Sequence, residues 1–332
     1  MIITVTPNPS LDSTVELPSP LLPGQVHRAV TGHTDPGGKG VNISRALTAA
    51  KLPTVAVIPS EADDPLLLSL NSFAVPYQTV PLGAAVRTNI TITDPTGVTT
   101  KINEPGPELD ADRQQALITA AASVPDTTWA ALAGSLPPGT DPQLYTRLIS
   151  ALRSSHPQAK IAVDSSGQAL ASTAAAEPDL IKPNADELLE LHTLLTGRRT
   201  DTTPGQLEQN RSAVVELVRA VQPYGVRTAL VTLGAHGAVL VPAEPKADVL
   251  MGFGPPIVAR STVGAGDAAL AGYISAADQG ASPAERLRHA MAHGRAAASL
   301  PGSQMPSPED LEPHTVTVEP LTCQSPEESE DQ

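Results

Sequence analysis

The sequence predicts an α/β sandwich built on a mostly parallel sheet, with a small β lid over one edge. Two observations lead there. Short, near-continuous apolar runs alternate along the chain with helical patterns, as buried parallel strands alternate with their crossover helices. Two stretches, Ser13–Pro36 and Val86–Glu104, break that rhythm and read as β ribbon instead, and both flank candidate site residues. The length of 332 residues is ample for a large core. Aromatic residues make up only 2%, so aliphatic side chains and alanine must fill that core.

The chain opens with an apolar strand, Ile2–Thr6, which runs out into Thr6-Pro7-Asn8-Pro9-Ser10-Leu11-Asp12. Asp12 stands where a strand leaves the sheet, a common place for ligand contacts in α/β folds, and its carboxylate can accept two sugar hydroxyls. Taken in isolation, it reads first as a turn residue. The first ribbon follows, and then Pro36-Gly37-Gly38-Lys39-Gly40-Val41-Asn42-Ile43-Ser44-Arg45, a glycine-rich turn feeding a helix. Glycines such as Gly38 let backbone and substrate approach closely. Lys39 offers a point charge, and Asn42 offers both a donor and an acceptor to sugar hydroxyls. This is no P-loop: Lys39 is followed by Gly40 instead of Ser or Thr, and position 33 is His33. No Gly-x-Gly-x-x-Gly follows a strand either, which leaves a dinucleotide-dependent oxidoreductase without support.

Thr54–Ile58 reads as the next strand. The second ribbon alternates through Val86–Thr93, turns at Asp94-Pro95-Thr96-Gly97 and returns through Val98–Asn103, carrying Arg87 and Lys101. Arg87 suits a planar, paired grip on phosphate if the lid closes over a phosphorylated sugar. Helices are expected over Asp110–Ser123, Pro142–Arg153, Asp186–Leu195, Gln206–Val221 and Pro283–Leu300. Strands are expected at Trp129–Ala133, Ile161–Asp164, Leu180–Lys182, Ala229–Leu233 and Ala238–Val241. At Lys182-Pro183-Asn184-Ala185-Asp186-Glu187 a strand ends and a helix begins. Asn184 and Glu187 have the spacing of a capping box, and the same pair could instead stand near a Mg²⁺ ion and its waters. Thr232-Leu233-Gly234-Ala235-His236-Gly237 joins two apolar strands as a hairpin, whose backbone amides could also line nucleotide phosphates.

The most informative run is Ser261-Thr262-Val263-Gly264-Ala265-Gly266-Asp267, leading into the small apolar stretch Ala268–Ile274. Bare amides at a helix N-terminus attract phosphate. A carboxylate at that point repels phosphate, unless it faces a hydroxyl and takes its proton as the oxygen attacks a phosphoryl group. That reading is a kinase; a glycine turn with an acidic residue favouring the helix dipole is the alternative for the run in isolation.

A net charge of -14 argues against nucleic acid or an anionic membrane surface as partner. The single cysteine, Cys323, excludes a disulfide framework, and the eight histidines show no metal-ligand spacing. With no basic leader and no apolar stretch of bilayer length, the expectation is a reduced, cytoplasmic, soluble protein. From Glu319 the chain turns acidic, so a kinase domain over 1–318 and a disordered tail over 319–332 are expected.

Together these motifs resemble the ribokinase-like, or PfkB, sugar kinase family from Thr6 to about Gly302. Thr6–Asp12, Gly37–Asn42, Arg87-Thr88-Asn89-Ile90, Asn103-Glu104-Pro105-Gly106-Pro107, Gly134-Ser135-Leu136-Pro137-Pro138-Gly139 and Lys182-Pro183-Asn184 are similar to its phosphosugar branch, that of the bacterial 1-phosphofructokinases and tagatose-6-phosphate kinases. The resemblance implies a three-layer α/β/α sandwich and transfer of phosphate from ATP, with Mg²⁺, to D-fructose 1-phosphate. Tagatose 6-phosphate and fructose 6-phosphate are the alternative acceptors, and a catalytically silent sugar-phosphate sensor is the alternative outside enzymes. It implies Asp267 as general base and Gly264, Ala265 and Gly266 as anion hole. Asp12, Gly38, Lys39, Asn42, Arg87 and Ser135 would hold the phosphorylated ketose. Lys182, Asn184 and Glu187 would serve ATP and Mg²⁺, with Glu187 reaching the metal through water, while Thr232, Gly234 and Gly237 line the nucleotide. It further implies a homodimer formed through the lids. The sequence departs from the family pattern at Ala268, where many members carry serine, and at Pro59–Asp64, which lacks a glycine-rich turn.

Overall fold

The structure is a computed structural model and describes residues 1–321. Its strands are β1 (Ile2–Val5), β2 (Ser10–Glu16), β3 (Thr31–Gly37), β4 (Thr54–Pro59), β5 (Tyr77–Val80), β6 (Arg87–Thr93), β7 (Thr99–Asn103), β8 (Trp129–Ala133), β9 (Lys160–Asp164), β10 (Leu180–Ile181), β11 (Thr228–Thr232), β12 (Ala238–Val241), β13 (Leu250–Phe253) and β14 (Thr317–Pro320). Its α-helices are α1 (Lys39–Ala49), α2 (Pro65–Ser72), α3 (Ala111–Ser123), α4 (Leu144–Ser155), α5 (Gly167–Thr173), α6 (Ala185–Thr196), α7 (Pro204–Gln209), α8 (Arg211–Val221), α9 (Ala265–Asp278) and α10 (Pro283–Ser299).

The main sheet runs β14-β13-β12-β11-β10-β9-β8-β1-β4-β5. From β5 to β11 every pairing is parallel, and β12, β13 and β14 finish it as antiparallel strands. The central strands are buried on both faces, which is why they read as unbroken apolar runs such as Trp129–Ala133. Successive residues serve opposite layers. Ile3 and Val5 face a core closed by α3, α4, α6 and α8; Ile2 faces a second core closed by α1, α9 and α10. Alanine fills much of the second layer, with Ala131, Ala162, Ala269 and Ala290 all buried, so helices pack close to the sheet.

Strand β1 lies between β4 and β8. The chain therefore winds outward to β5, returns past β1 and continues in the opposite direction. Such a reversal opens a crevice at the carboxyl ends of the strands.

The two ribbons form one separate sheet in the order β3-β2-β6-β7. Its pleat sorts the side chains. Asp12, Thr14, Glu16, Asn89, Thr91, Thr93 and Lys101 face a cleft of about 830 Å³, closed on the other side by residues 260–263 and 301–303. The alternate residues Leu11, Val15, Ile90, Ile92 and Ile102 lie on the opposite face.

Several elements differ from expectation. The helix expected over Gln206–Val221 divides at Asn210, whose side chain accepts from the Ala213 amide at 3.1 Å and starts α8 afresh. The disorder expected from Glu319 does not begin there: Glu319 and Pro320 pair with Met251 and Leu250, and the Leu321 amide donates to the Val249 carbonyl at 2.7 Å. Most of the expected tail, from residue 322 on, lies outside the described residues. The non-glycine loop at Pro59–Asp64 is held by carboxylates. Glu61 accepts from the Leu82 and Gly83 amides, and Asp64 accepts from Leu66 and Val86, so that loop fixes the approach to the lid.

Candidate active site

Two helices meet the crevice end-on. α1 starts at Gly38, with φ of 104°, and α9 at Gly264, with φ of 76°; neither has a side-chain cap. Elsewhere Asp110, Asn184, Thr203 and Ser282 cap their helices by accepting first-turn amides. The amides of α9 from Ala265 to Asp267 therefore have no side-chain acceptor of this kind, and the positive end of the helix faces the crevice. Glycine is needed at both starts. A Cβ on Gly264 would collide with the end of Met305, and one on Gly38 would come within 2.9 Å of Thr6.

Asp267, in the first turn of α9, is 7% exposed. Its Oδ2 accepts from Asn42 Nδ2 at 2.9 Å. Burial, and then the neighbouring charge of Asp164, push its pKa up to about 6, against the pull of Lys39, Asn42 and Lys182. A carboxylate so placed can gain a proton near neutrality, as a general base requires.

Sequence reasoning did not single out Asp164 as a site residue. It closes β9, is fully buried, and is held by two lysines: Lys39 Nζ donates to Oδ1 at 2.8 Å and Lys182 Nζ lies 3.0 Å from Oδ2. Burial opposes its charge most strongly, yet the two ammonium groups hold its pKa below the usual carboxylate range. The available signal was an ionisable residue at the carboxyl end of an otherwise apolar strand. Lys39 also contacts Glu187 Oε1 at 3.1 Å. Burial disfavours its ammonium, but Asp164 and then Glu187 outweigh this and raise its pKa. Lys182 approaches α9 as well; a Cβ on Gly266 would stand 3.2 Å from its Nζ.

Asn184 and Glu187 do form the capping box: Asn184 Oδ1 accepts from the Glu187 amide at 2.8 Å, and Glu187 Oε2 from the Asn184 amide at 2.9 Å. The cap and the site coexist, because the other carboxylate oxygen of Glu187 is the one facing Lys39.

The lid side is equally organised. Asp12 Oδ1 accepts from Ser10 Oγ at 2.8 Å and Asn89 Nδ2 at 2.9 Å, and its carboxylate occupies the space a Cβ on Gly37 would need. Arg87 donates to the carbonyls of Glu104 at 3.1 Å and Asn8 at 3.2 Å, while its buried Nε has no protein partner. Ser135 is exposed just beyond β8. Thr232 bridges to Asn184, which draws the β11–β12 hairpin to the start of α6. Gly234 stands in that turn with φ of 54°, and Gly237 has a packing requirement of its own, since a Cβ there would collide with the Gly252 carbonyl. No hydrogen bond among the described residues joins Gly234 or Gly237 to the Lys39–Asp164–Asp267 group.

The family description "pfkB family carbohydrate kinase" matches residues 6–310. The chain is 35% identical over 331 residues to the 1-phosphofructokinase of Rhodobacter capsulatus, covering 96% of this chain and 98% of that one. It is 31% identical to the 1-phosphofructokinase of Haloferax volcanii over 98% of this chain and all of that one. Its fold superposes with a TM-score of 0.79 on a crystal structure of the phosphofructokinase-2 of Escherichia coli in complex with fructose-6-phosphate, at 28% identity over 93% of this chain and 96% of that chain. With reversed strand order, two helix starts without side-chain caps and a buried carboxylate in the first turn of one of them already in place, this chain belongs to the pfkB family of carbohydrate kinases.

Proposed function

We propose that this kinase transfers the γ-phosphoryl group of ATP to the free primary hydroxyl of D-fructose 1-phosphate, giving fructose 1,6-bisphosphate and ADP. Its similarity to relatives named 1-phosphofructokinase supports that acceptor. The observation that carries the chemistry is the buried Asp267 carboxylate beside the uncapped start of α9.

In this reading Asp267 takes the hydroxyl proton as the sugar oxygen bonds to the γ-phosphorus. The bond from that phosphorus to the bridging oxygen breaks, and ADP leaves. The amides of Gly264, Ala265 and Gly266 and the ammonium of Lys182 neutralise charge on the moving phosphoryl oxygens. Asp12, Gly38 and Lys39 hold the sugar, Asn42 its reacting end, and Arg87 with Ser135 its phosphate. Lys101 and Arg260 add positive charge on opposite walls of the cleft. The nucleotide lies along Lys182, Asn184, Thr232, Gly234 and Gly237.

Magnesium suits the charge of the site: no three metal-ligating side chains cluster among the described residues, but three carboxylates, Asp164, Glu187 and Asp267, stand among two ammonium groups, those of Lys39 and Lys182, and a triphosphate there demands further positive charge. Glu187, with a side chain 13% exposed, would hold the ion through water, and the ion would supply charge neutralisation at the phosphates.

Two copies would pair through their lids. The lid face opposite the cleft carries Val15, Ile90, Ile92 and Ile102 among Ser13, Thr88 and Thr100, and Ile102 is 52% exposed. No described helix is long and apolar enough to cross a membrane.

The test is ADP release by the purified protein with MgATP and, separately, fructose 1-phosphate, fructose 6-phosphate and tagatose 6-phosphate. The highest kcat/KM is expected with fructose 1-phosphate. A preference for either 6-phosphate overturns the acceptor, and saturable binding without turnover on all three overturns the enzyme.

A further inference from the structure

Arg45 has no part in the reaction as described, yet it is a charged side chain only 4% exposed, one turn beyond Asn42 on α1. Its Nη1 donates to Asn42 Oδ1 at 3.2 Å, to the Pro36 carbonyl at 3.0 Å and to the Ser303 carbonyl at 3.1 Å. Its Nη2 lies 4.0 Å from Asp35 Oδ1, and Ser303 Oγ donates to the other Asp35 oxygen at 3.0 Å. Its guanidinium carbon sits 4.6 Å from the centre of the Phe73 ring. Burying a guanidinium is costly unless it is paired and hydrogen-bonded. A methionine would fill such a space without that cost.

The Asn42 amide explains what the charge accomplishes. Its two ends differ: the oxygen only accepts and the nitrogen only donates. Arginine can only donate, so it selects the oxygen and turns the nitrogen toward Asp267, which Nδ2 reaches at 2.9 Å. The reversed amide would set its oxygen against the carboxylate and its nitrogen against the guanidinium. We infer that Arg45 is a positioning residue for the general base, locking the Asn42 amide in the one orientation that donates to Asp267. It is anchored by Asp35 and Pro36 on lid strand β3 and by Ser303, so the seating of the lid bears on the base through the same side chain.

The inference rests on the kinase reading above, and wild-type turnover with MgATP and fructose 1-phosphate tests that reading separately. Given wild-type turnover, Arg45→Met, which cannot donate, is expected to lower kcat per folded molecule by about 10–100-fold, the effect of losing a hydrogen bond to a charged group. The acid limb of the pH–rate profile is expected to move to higher pH. The groups facing Asp267 are Lys39 and Asn42 from α1, Asp164 from β9 and Lys182 beyond β10, and none of these is changed. Arg45→Gln, which can donate, is expected to recover part of the loss and serves alone if the methionine variant does not fold. In an Asn42→Ala background, replacing Arg45 is expected to add little, because its effect passes through that amide. Folded Arg45 variants with wild-type kcat and an unmoved acid limb would overturn the inference. So would full additivity with Asn42→Ala.

Discussion

Ionising Asp267 works against the fold. Its carboxyl is buried and shares its surroundings with Asp164, so its pKa of about 6 stands above that of an exposed aspartate. Two consequences follow with definite signs. A base must be unprotonated to act, so kcat/KM is expected to fall as pH drops through about 6 with a slope of one, and a rate that stays flat well below that pH would contradict the assignment. The raised pKa also means that the folded state binds a proton more tightly than the unfolded chain. Its stabilising effect is complete at acid pH, below the unfolded value, and is lost as pH rises through about 6. Asp267→Asn is therefore expected to melt at or above the wild-type temperature at pH 8, and a fall of several degrees in a thermal scan would refute this. Asp267 and Lys39 were legible in the sequence because glycine-rich turns mark them. Asp164 and Arg45 were not: their partners lie up to 258 positions away along the chain, and only folding brings those charges together.

At the scale of elements, α9 trades helix stability for an open end. Gly266 has helical backbone, so glycine there costs about 1 kcal/mol relative to alanine in an ordinary helix interior. The compensation is space, since a methyl group would stand 3.2 Å from Lys182 Nζ, over the amides proposed to meet phosphate. Gly266→Ala is expected to lower kcat by roughly 10–100-fold while leaving the melting temperature level or higher. Equal loss of stability and activity would mean that the glycine serves packing alone. Period-two alternation made the lid strands readable at Arg87–Thr93, and continuous apolar runs did the same for β8 and β12. Strand β13 escaped notice because Gly252 interrupts its short apolar run, and β14 because it carries a proline and a glutamate at the sheet edge. The split between α7 and α8 escaped because their apolar faces keep one period across Asn210, where a side-chain cap restarts the helix.

Across the whole molecule, the reversal of strand order beside β1 brings the ends of β1, β8, β9 and β10 to one crevice, and the lid walls a cleft against residues 260–263, the segment that leads into α9. The outer face of the lid gives the expected assembly its simplest check. Ile102→Lys places a charge on that face, and sedimentation is expected to show a dimer for the wild type and a shift toward monomer for the variant; a monomeric wild type would refute the lid contact. The division of labour between α9 and its first-turn acid is tested most directly by the turnover of Asp267→Asn with MgATP and fructose 1-phosphate, measured beside its affinity for MgATP. A loss of roughly 10²–10⁴-fold in kcat with nucleotide affinity intact is the predicted result. Near wild-type turnover would contradict it.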